Sequence, residues 1–313
     1  MKRLFWVSLT ALAVSFCALT GAAQAQATRT WISGVGDDAN PCSRTAPCKT
    51  FAGAISKTAV GGEINCLDPG GFGALTITSP MAIICDTSGE AGVLVAGTNG
   101  IDVSLSAGGE VVLSGLDFEG LNQTTSPGVN GISFTGAGSL YVRKCIIHDF
   151  SNNGISFTPG SGFSTLVVQD TVVDNNSAVG IFISPSGGGD ATAYISYTQL
   201  VHNAAGLMVQ DNGHATVFQS SAVSNNQNGF LASSTSATAE INLTNSVSAA
   251  NGNGIATSGA HANIRIAYDS IFDNTMGINT GGGGTVQTFS PATSTNAGNG
   301  TQGGPNGSAI GLQ

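Results

Sequence analysis

From about residue 90 onward the apolar residues fall in short alternating runs, not at the three-and-four spacing of a helix face. A Gly followed by an apolar residue opens such a run at Gly100-Ile101, Gly131-Ile132, Gly154-Ile155, Gly180-Ile181, Gly206-Leu207, Gly229-Phe230, Gly254-Ile255 and Gly277-Ile278, at intervals of 23 to 31 residues. In Ile132-Ser133-Phe134 or Ile155-Ser156-Phe157 the outer two residues face one way and the middle one the other, the two-residue period of a strand.

A second strand is predicted between successive Gly positions, with inward pairs Leu140/Val142, Leu166/Val168, Ala193/Ile195, Thr216/Phe218, Ile241/Leu243 and Ile264/Ile266. Seven residues after the first of each pair stands Ile147, Val173, Leu200, Val223, Ser248 or Ile271, and three further on Phe150, Asn176, Asn203, Asn226, Asn251 or Asn274. Asn tolerates the left-handed backbone of a sharp turn, and a stacked amide can donate to one neighbour and accept from the next. One residue type held in one column over successive repeats requires coils stacked in parallel. Antiparallel hairpins would not keep that register, and the density of Gly, Ser and Thr is too high for helical repeats. The pattern predicts an all-β parallel solenoid with a buried Asn ladder.

On these Gly-apolar and Asn repeats, over roughly residues 90 to 280, the chain resembles the pectin-lyase-like right-handed parallel β-helix proteins. A second resemblance lies in Trp31-Ile32-Ser33-Gly34-Val35-Gly36-Asp37-Asp38-Ala39-Asn40-Pro41, then Ala46-Pro47-Cys48-Lys49-Thr50-Phe51, Ala54-Ile55 and Asp68-Pro69-Gly70. It is similar to the N-terminal pattern of many bacterial secreted β-helices. The resemblance implies a single-stranded right-handed parallel β-helix with a short amphipathic helix capping its N-terminal end. Thr50 as N-cap, with Phe51, Ala54, Ile55 and Thr58 on one face, agrees. The expected organisation is an N-terminal cap and first coils over 28–90, repeats over 91–285, and a Gly/Ser/Asn-rich tail over 286–313 holding one last partial coil from Thr285 to Phe289. The group contains lyases, hydrolases, epimerases, esterases and non-enzymes, so it implies no single activity.

The first residues, Met1-Lys2-Arg3, precede an apolar run from Leu4 to about Leu19 and the small-residue sites Ala23-Gln24-Ala25 and Ala25-Gln26-Ala27. This order predicts a signal peptide over 1–27 and an exported protein, periplasmic, cell-surface or extracellular. The run is shorter than the roughly 20 residues of a membrane span, and no later segment is long and apolar enough, so no transmembrane anchor is expected. Nine Lys and Arg against eighteen Asp and Glu set nucleic acid aside, since a phosphate-binding surface needs clustered cations. Few charges with abundant Gly, Ser, Thr and Asn suggest disorder, but 41% hydrophobic residues with regular Val and Ile argue for a fold.

After export five cysteines remain. Cys42 and Cys48 bracket a short loop; Cys66 and Cys85 end two apolar runs that, stacked in register, would bring their Cα atoms about 4.8 Å apart. Disulfides Cys42–Cys48 and Cys66–Cys85 are expected; metal binding by the four is the alternative, disfavoured by the lack of a tight Cys-x-x-Cys. Cys145 is expected as a buried thiol beside a column of Thr171, Thr198, Ser221 and Ser246. No metal or cofactor is expected.

No enzyme motif of the fold is complete. Asn212-Gly213-His214 and Gly259-Ala260-His261 lack the partners of a polygalacturonase-like site, and Gln169-Asp170-Thr171 matches one pectin-methylesterase motif alone. Aligned coils place Glu119, His148 and Asp174 in one column, with Asp149, Asn175, His202 and Asn225 in the next. Two coil steps separate Glu119 and Asp174 by about 9.6 Å, a span that could flank a glycosidic bond; a solvated turn is the bland reading. Tyr141 and Tyr194 share an outward column with Arg265, and Arg143, Lys144, Asp170 and Tyr197 lie beside them. Aromatic faces stack on sugar rings and charged groups bond their hydroxyls, although Tyr also suits any exposed strand. Phe182, Met208 and Leu231 form an outward apolar stripe, for self-association or for cover by the C-terminal tail. The leading expectation is a non-catalytic exported β-helix presenting an elongated surface to polysaccharide or cell-envelope glycan. The alternatives are a polysaccharide lyase or glycoside hydrolase acting at Glu119, His148 and Asp174, or a structural or adhesion protein that self-associates through the stripe.

Overall fold

The structure, a computed structural model, describes residues 26–106, 108–122, 124–289 and 294–311. The signal-peptide segment up to residue 25 lies outside the described residues. Three parallel sheets of eleven, ten and ten strands run the length of a solenoid; in chain order they are called A, B and C. Each coil visits them in turn. One coil runs Ser139–Arg143 in A, Ile146–His148 in B and Ile155–Phe157 in C; the next runs Phe163–Gln169, Val172–Asp174 and Val179–Ile183. Alternation along each strand sends apolar residues inward, where like stacks on like. Leu140 pairs with Leu166, and the rings of Phe134 and Phe157 stack at 4.6 Å.

The recurrent Gly has a steric cause. A Cβ on Gly154 would meet the carbonyl oxygen of Gly180 at 2.8 Å, and one on Gly180 that of Gly206 at 2.7 Å. The entry into sheet C is a close approach of backbone to backbone, and Gly takes that place in every coil from Gly100 to Gly277.

The Asn ladder exists, with one member different from the expectation. Asn176, Asn203, Asn225, Asn251, Asn274 and Asn299 stack, each side-chain oxygen accepting from the preceding Asn's backbone N–H and amide where one precedes. Asn225 is buried and Asn226 is exposed. The same one-residue correction applies through that coil. Ala215 and Val217 face inward while Thr216 and Phe218 face out, Ala222 takes the place expected for Val223, and Ser220 replaces Ser221 in the hydroxyl column. The run His214 to Phe218 carries apolar residues on both faces, so alternation alone does not choose between them, and a one-residue slip flips every side chain. The left-handed backbone also falls one residue earlier than the Asn. Asp149, Asn175, His202, Ser224, Ala250 and Asp273 hold φ between 53 and 62°.

At the N-terminal end, Phe51–Ile55 forms a single helical turn whose N-cap Thr50 accepts from the Gly53 N–H, burying Phe51 and Ala54. Phe51 packs on Phe72 with ring centroids 5.5 Å apart. At the other end the expected tail is largely another coil. Thr285–Thr288, Thr295–Asn296 and Thr301–Gly303 extend sheets A, B and C. The following segment lies against it, where Asn306 and Gly307 donate to the Val286 carbonyl and Ile310 to that of Thr288. Asn299 had carried the ladder signal one coil beyond the predicted boundary.

Cys42–Cys48 and Cys66–Cys85 are disulfides, and Cys145 is a buried free thiol pushed up to about 12 by desolvation. The Cys66–Cys85 bridge spans 19 residues and ties two coils of sheet A. Replacing both cysteines by Ser is expected to cost about 3 kcal/mol in urea unfolding, the loop-closure entropy returned to the denatured chain. Peptide mapping that found Cys145 in a bridge would contradict this pairing.

Candidate functional site

The turn from sheet A to sheet B decides what the solenoid displays. One residue per coil there is left-handed: Lys144, Asp170, Tyr197, Gln219, Asn245 and Tyr268, with φ between 45 and 60°. Asn suits that conformation, whereas Lys, Gln and Tyr carry a steric cost on the order of 1 kcal/mol. The backbone therefore does not select these side chains, which project from the A–B edge into solvent.

Sheet A supplies the adjoining column, Tyr141, Val167, Tyr194, Thr216, Asn242 and Arg265, one from each coil. Tyr141 and Tyr194 are thus two coils apart. The Arg143 guanidinium sits 5.2 Å above the Tyr141 ring centroid. Lys144 pairs with Asp86 at 3.3 Å, and Arg265 with Glu240 at 2.7 Å. Arg265 is separated from Tyr194 by Thr216 and Asn242, so the seven residues singled out from the sequence form a group near Tyr141 to Tyr197 and an outlying ion pair.

Phe218 was missed because it was placed inside. It faces out and meets Tyr197 edge-on, 6.0 Å between centroids at 86°. Tyr194, on the strand that leads to Tyr197, and Tyr268, three coils further along the edge, are like Tyr197 at least half exposed. A surface cleft of about 430 Å³ opens on this edge, lined by Tyr197, Gln199, Gln219, Ser221, Asn245 and Val247. A second cleft of about 380 Å³ lies further toward the N-terminus on the same edge, lined by Asp86, Glu90, Asp117, Lys144 and Ile146 among others.

Glu119, His148 and Asp174 do pair in register on three consecutive strands of sheet B. Asn225, expected in the next column, is instead in the buried ladder, and Ser224 holds that place. The His148 ring bonds to neither Glu119 nor Asp174. His148 Nε2 is 3.2 Å from Asp117 and Nδ1 is 2.7 Å from Asp149. Asp174 pairs with His202 at 2.9 Å. The Asp117 carboxylate, against the cost of burial and with help from Asp149, raises His148 to about 9. At neutral pH it is a doubly paired imidazolium. Among the described residues no group of three or more His, Cys, Asp or Glu is placed to hold a metal ion.

Phe182, Met208 and Leu231 pair in one column of sheet C, each half-buried. Residues 304–311 lie against the last coil, so in the described residues they do not cover this stripe.

Residues 87–194 and 130–290 match the family described as "Right handed beta helix region". No curated protein sequence matches the chain. Among solved structures, pectate lyase Pel9A shares 16% identity at a TM-score of 0.53, over 84% of this chain and 68% of that one. The mannuronan C-5 epimerase AlgE6 A-module of Azotobacter vinelandii shares 15% at 0.46, over 81% and 88%. The GH136 lacto-N-biosidase of Eubacterium ramulus shares 10% at 0.31, over 76% and 64%. At these identities the likeness is one of fold alone.

Proposed function

Because the chain belongs to the right-handed β-helix family, we propose that it is an exported, non-catalytic protein that binds polysaccharide or cell-envelope glycan along the outer face of sheet A and the A–B edge. The observation that carries this reading is the line of outward aromatics. Half-buried Tyr141 and exposed Tyr194 share one column, and exposed Tyr197, Phe218 and Tyr268 stand at the edge beside it. Coils repeat at about 4.8 Å, close to the advance of one sugar in a chain, so a polymer can follow the solenoid and stack at intervals. Export is supported by the N-terminal apolar segment with its small-residue sites and by the two disulfides. In the same reading the Phe51–Ile55 turn plugs the N-terminal end.

Turnover at Glu119, His148 and Asp174 is less supported. A base must have a free lone pair near neutral pH, and both ring nitrogens of His148 are engaged by carboxylates.

The test is a glycan array on the protein, followed by titration and a reducing-end assay on the hits. Tyr141→Ala and Tyr194→Ala are each expected to weaken binding by roughly 1–2 kcal/mol. Glu119→Gln is expected to leave affinity unchanged, with no reducing ends released. A double Tyr141/Tyr194 variant that binds as tightly as the parent would remove this face as the site.

A further inference from the structure

We infer that the cleft beside Tyr197 is a subsite for uncharged sugar residues, so that the glycan is a neutral polymer and not a polyuronate. This rests on the glycan-binding reading above and narrows it. Tyr197 would provide the stacking face, and Gln199, Gln219 and Asn245 would read ring hydroxyls.

The chemistry of the lining carries the inference. Tyr197, Gln199, Gln219, Ser221, Asn245 and Val247 offer an aromatic ring, three amides, a hydroxyl and an aliphatic surface, with no cation or carboxylate among them. Amides both donate and accept, which suits hydroxyl groups that do the same. A uronate carboxylate needs a guanidinium or ammonium partner to replace its lost hydration. The cations nearest along this edge are already engaged: Arg265, one coil beyond Asn242, by Glu240, and on the other side Lys144 by Asp86 and Arg143 over the Tyr141 ring. Gln199, Gln219 and Asn245 are exposed, and their side-chain amides bond to no other described residue, so they are open to a ligand.

A second observation is independent of the cleft. Tyr197 and Gln219 hold the left-handed backbone, at φ 52° and 45°, that Gly or Asn adopts at less cost. Aromatic and amide side chains kept at strained positions, facing out, point to a role other than folding. Phe218, edge-on to Tyr197, fixes the orientation of the ring. The residues involved lie on three consecutive coils, a length of about 10 Å from first to third, enough for two to three sugar units.

The experiment is titration of the purified protein with three hexasaccharides: cellohexaose, hexa-N-acetylchitohexaose and hexagalacturonate. A neutral hexamer is expected to bind at least about tenfold more tightly than hexagalacturonate, with affinity unchanged between about 50 and 500 mM salt, since no ion pair is screened. Tyr197→Asn and Gln219→Asn, which both suit the left-handed turn, are expected to lower that affinity roughly tenfold while the melting temperature holds or rises. Hexagalacturonate binding as tightly as the neutral hexamers overturns the inference and leaves the glycan-binding surface standing. So does a neutral hexamer whose affinity falls in the Tyr141/Tyr194 variant but not in Tyr197→Asn. Failure of all three hexamers, and of every array glycan, overturns both.

Discussion

Asn251→Ala is expected to destabilise the protein by roughly 3–5 kcal/mol in urea or thermal unfolding, while Asn226→Ala, one coil earlier, changes stability by less than about 0.5 kcal/mol. Asn251 is 3% exposed. Its side-chain oxygen accepts from the backbone N–H and the amide of Asn225, both at 2.9 Å, and its amide donates to the Ala222 carbonyl, the Ser248 hydroxyl and the Asn274 oxygen. Alanine leaves two buried donors on Asn225 and an acceptor on Ala222 without partners. These groups are buried, so their desolvation cost is no longer offset. A solenoid is held by neighbour-to-neighbour contacts, so faster amide exchange should be confined to the coils on either side of residue 251. Equal losses in the two variants would mean that the buried ladder is not what holds that turn.

The contrast between these two asparagines marks where the sequence stops being legible. Most coils announce themselves. A Gly that must let two backbones touch, a strand with one apolar face and an Asn that bonds its copies each leave a periodic mark. The coil from Gly213 to Phe230 does not. Asn203 to Asn225 is 22 residues, whereas Asn176 to Asn203 is 27 and Asn225 to Asn251 is 26. Ala215, Thr216, Val217 and Phe218 offer a strand either face, and Asn225-Asn226 offers the ladder either member. Hydrogen bonding decides it, because Ser220 must accept from the Thr198 N–H and Asn225 from that of Asn203. Those partners lie a coil away, outside any window of local pattern. The last coil was read only as far as its Thr285–Phe289 part for a related reason, since its Thr295–Asn296 and Thr301–Gly303 strands lack apolar residues and are held by backbone pairing.

The surface was legible in columns but not in partners. Repeat alignment placed Tyr141 with Tyr194, and Glu119 with His148 and Asp174, in the registers the structure has. It gave no sign that Asp117, two residues before Glu119, takes the His148 ring nitrogen, or that Asp86 holds Lys144. A side chain of that length reaches neighbours diagonally across coils, and the choice among them is made by rotamers, which no period records. Phe218 was lost with the register of its coil, and with it the aromatic pair that orients Tyr197. Correcting one residue in one coil therefore moved the centre of the candidate site from Tyr141 toward Tyr197.

Thermal stability is expected to peak near pH 4–5 and to fall as the pH rises, in two branches with separate causes. The first belongs to Asp269, which closes the hydroxyl column of Thr171, Thr198, Ser220 and Ser246. Its carboxyl, 4% exposed, accepts from the backbone N–H groups of Ser246 and Ala267, both at 2.8 Å. Burial raises it to about 7, against those two donors. The unfolded carboxyl titrates near 3.9, so between about pH 4 and 7 the native state keeps a proton that the unfolded chain has released. Its stabilisation is complete below that window and is lost through it, on the order of 4 kcal/mol. The second branch belongs to His148, raised to about 9 by Asp117 and Asp149. An unfolded histidine titrates near 6.5, so the stability from its paired imidazolium is present below that pH and lost up to about 9. Partial exposure of the pair reduces this to roughly 1 kcal/mol. Below pH 4 the sign reverses, because Asp38, Asp211 and Glu240 are lowered by their hydrogen bonds, and their stability is lost as they are protonated. Calorimetry from pH 3 to 9 checks the profile. Asp269→Ser should flatten the branch between 4 and 7, whatever its absolute stability, and His148→Gln the branch above 6.5. A melting temperature that rises from pH 5 to 7 in the parent would show that Asp269 is ionised in the native state throughout, its two backbone donors outweighing its burial.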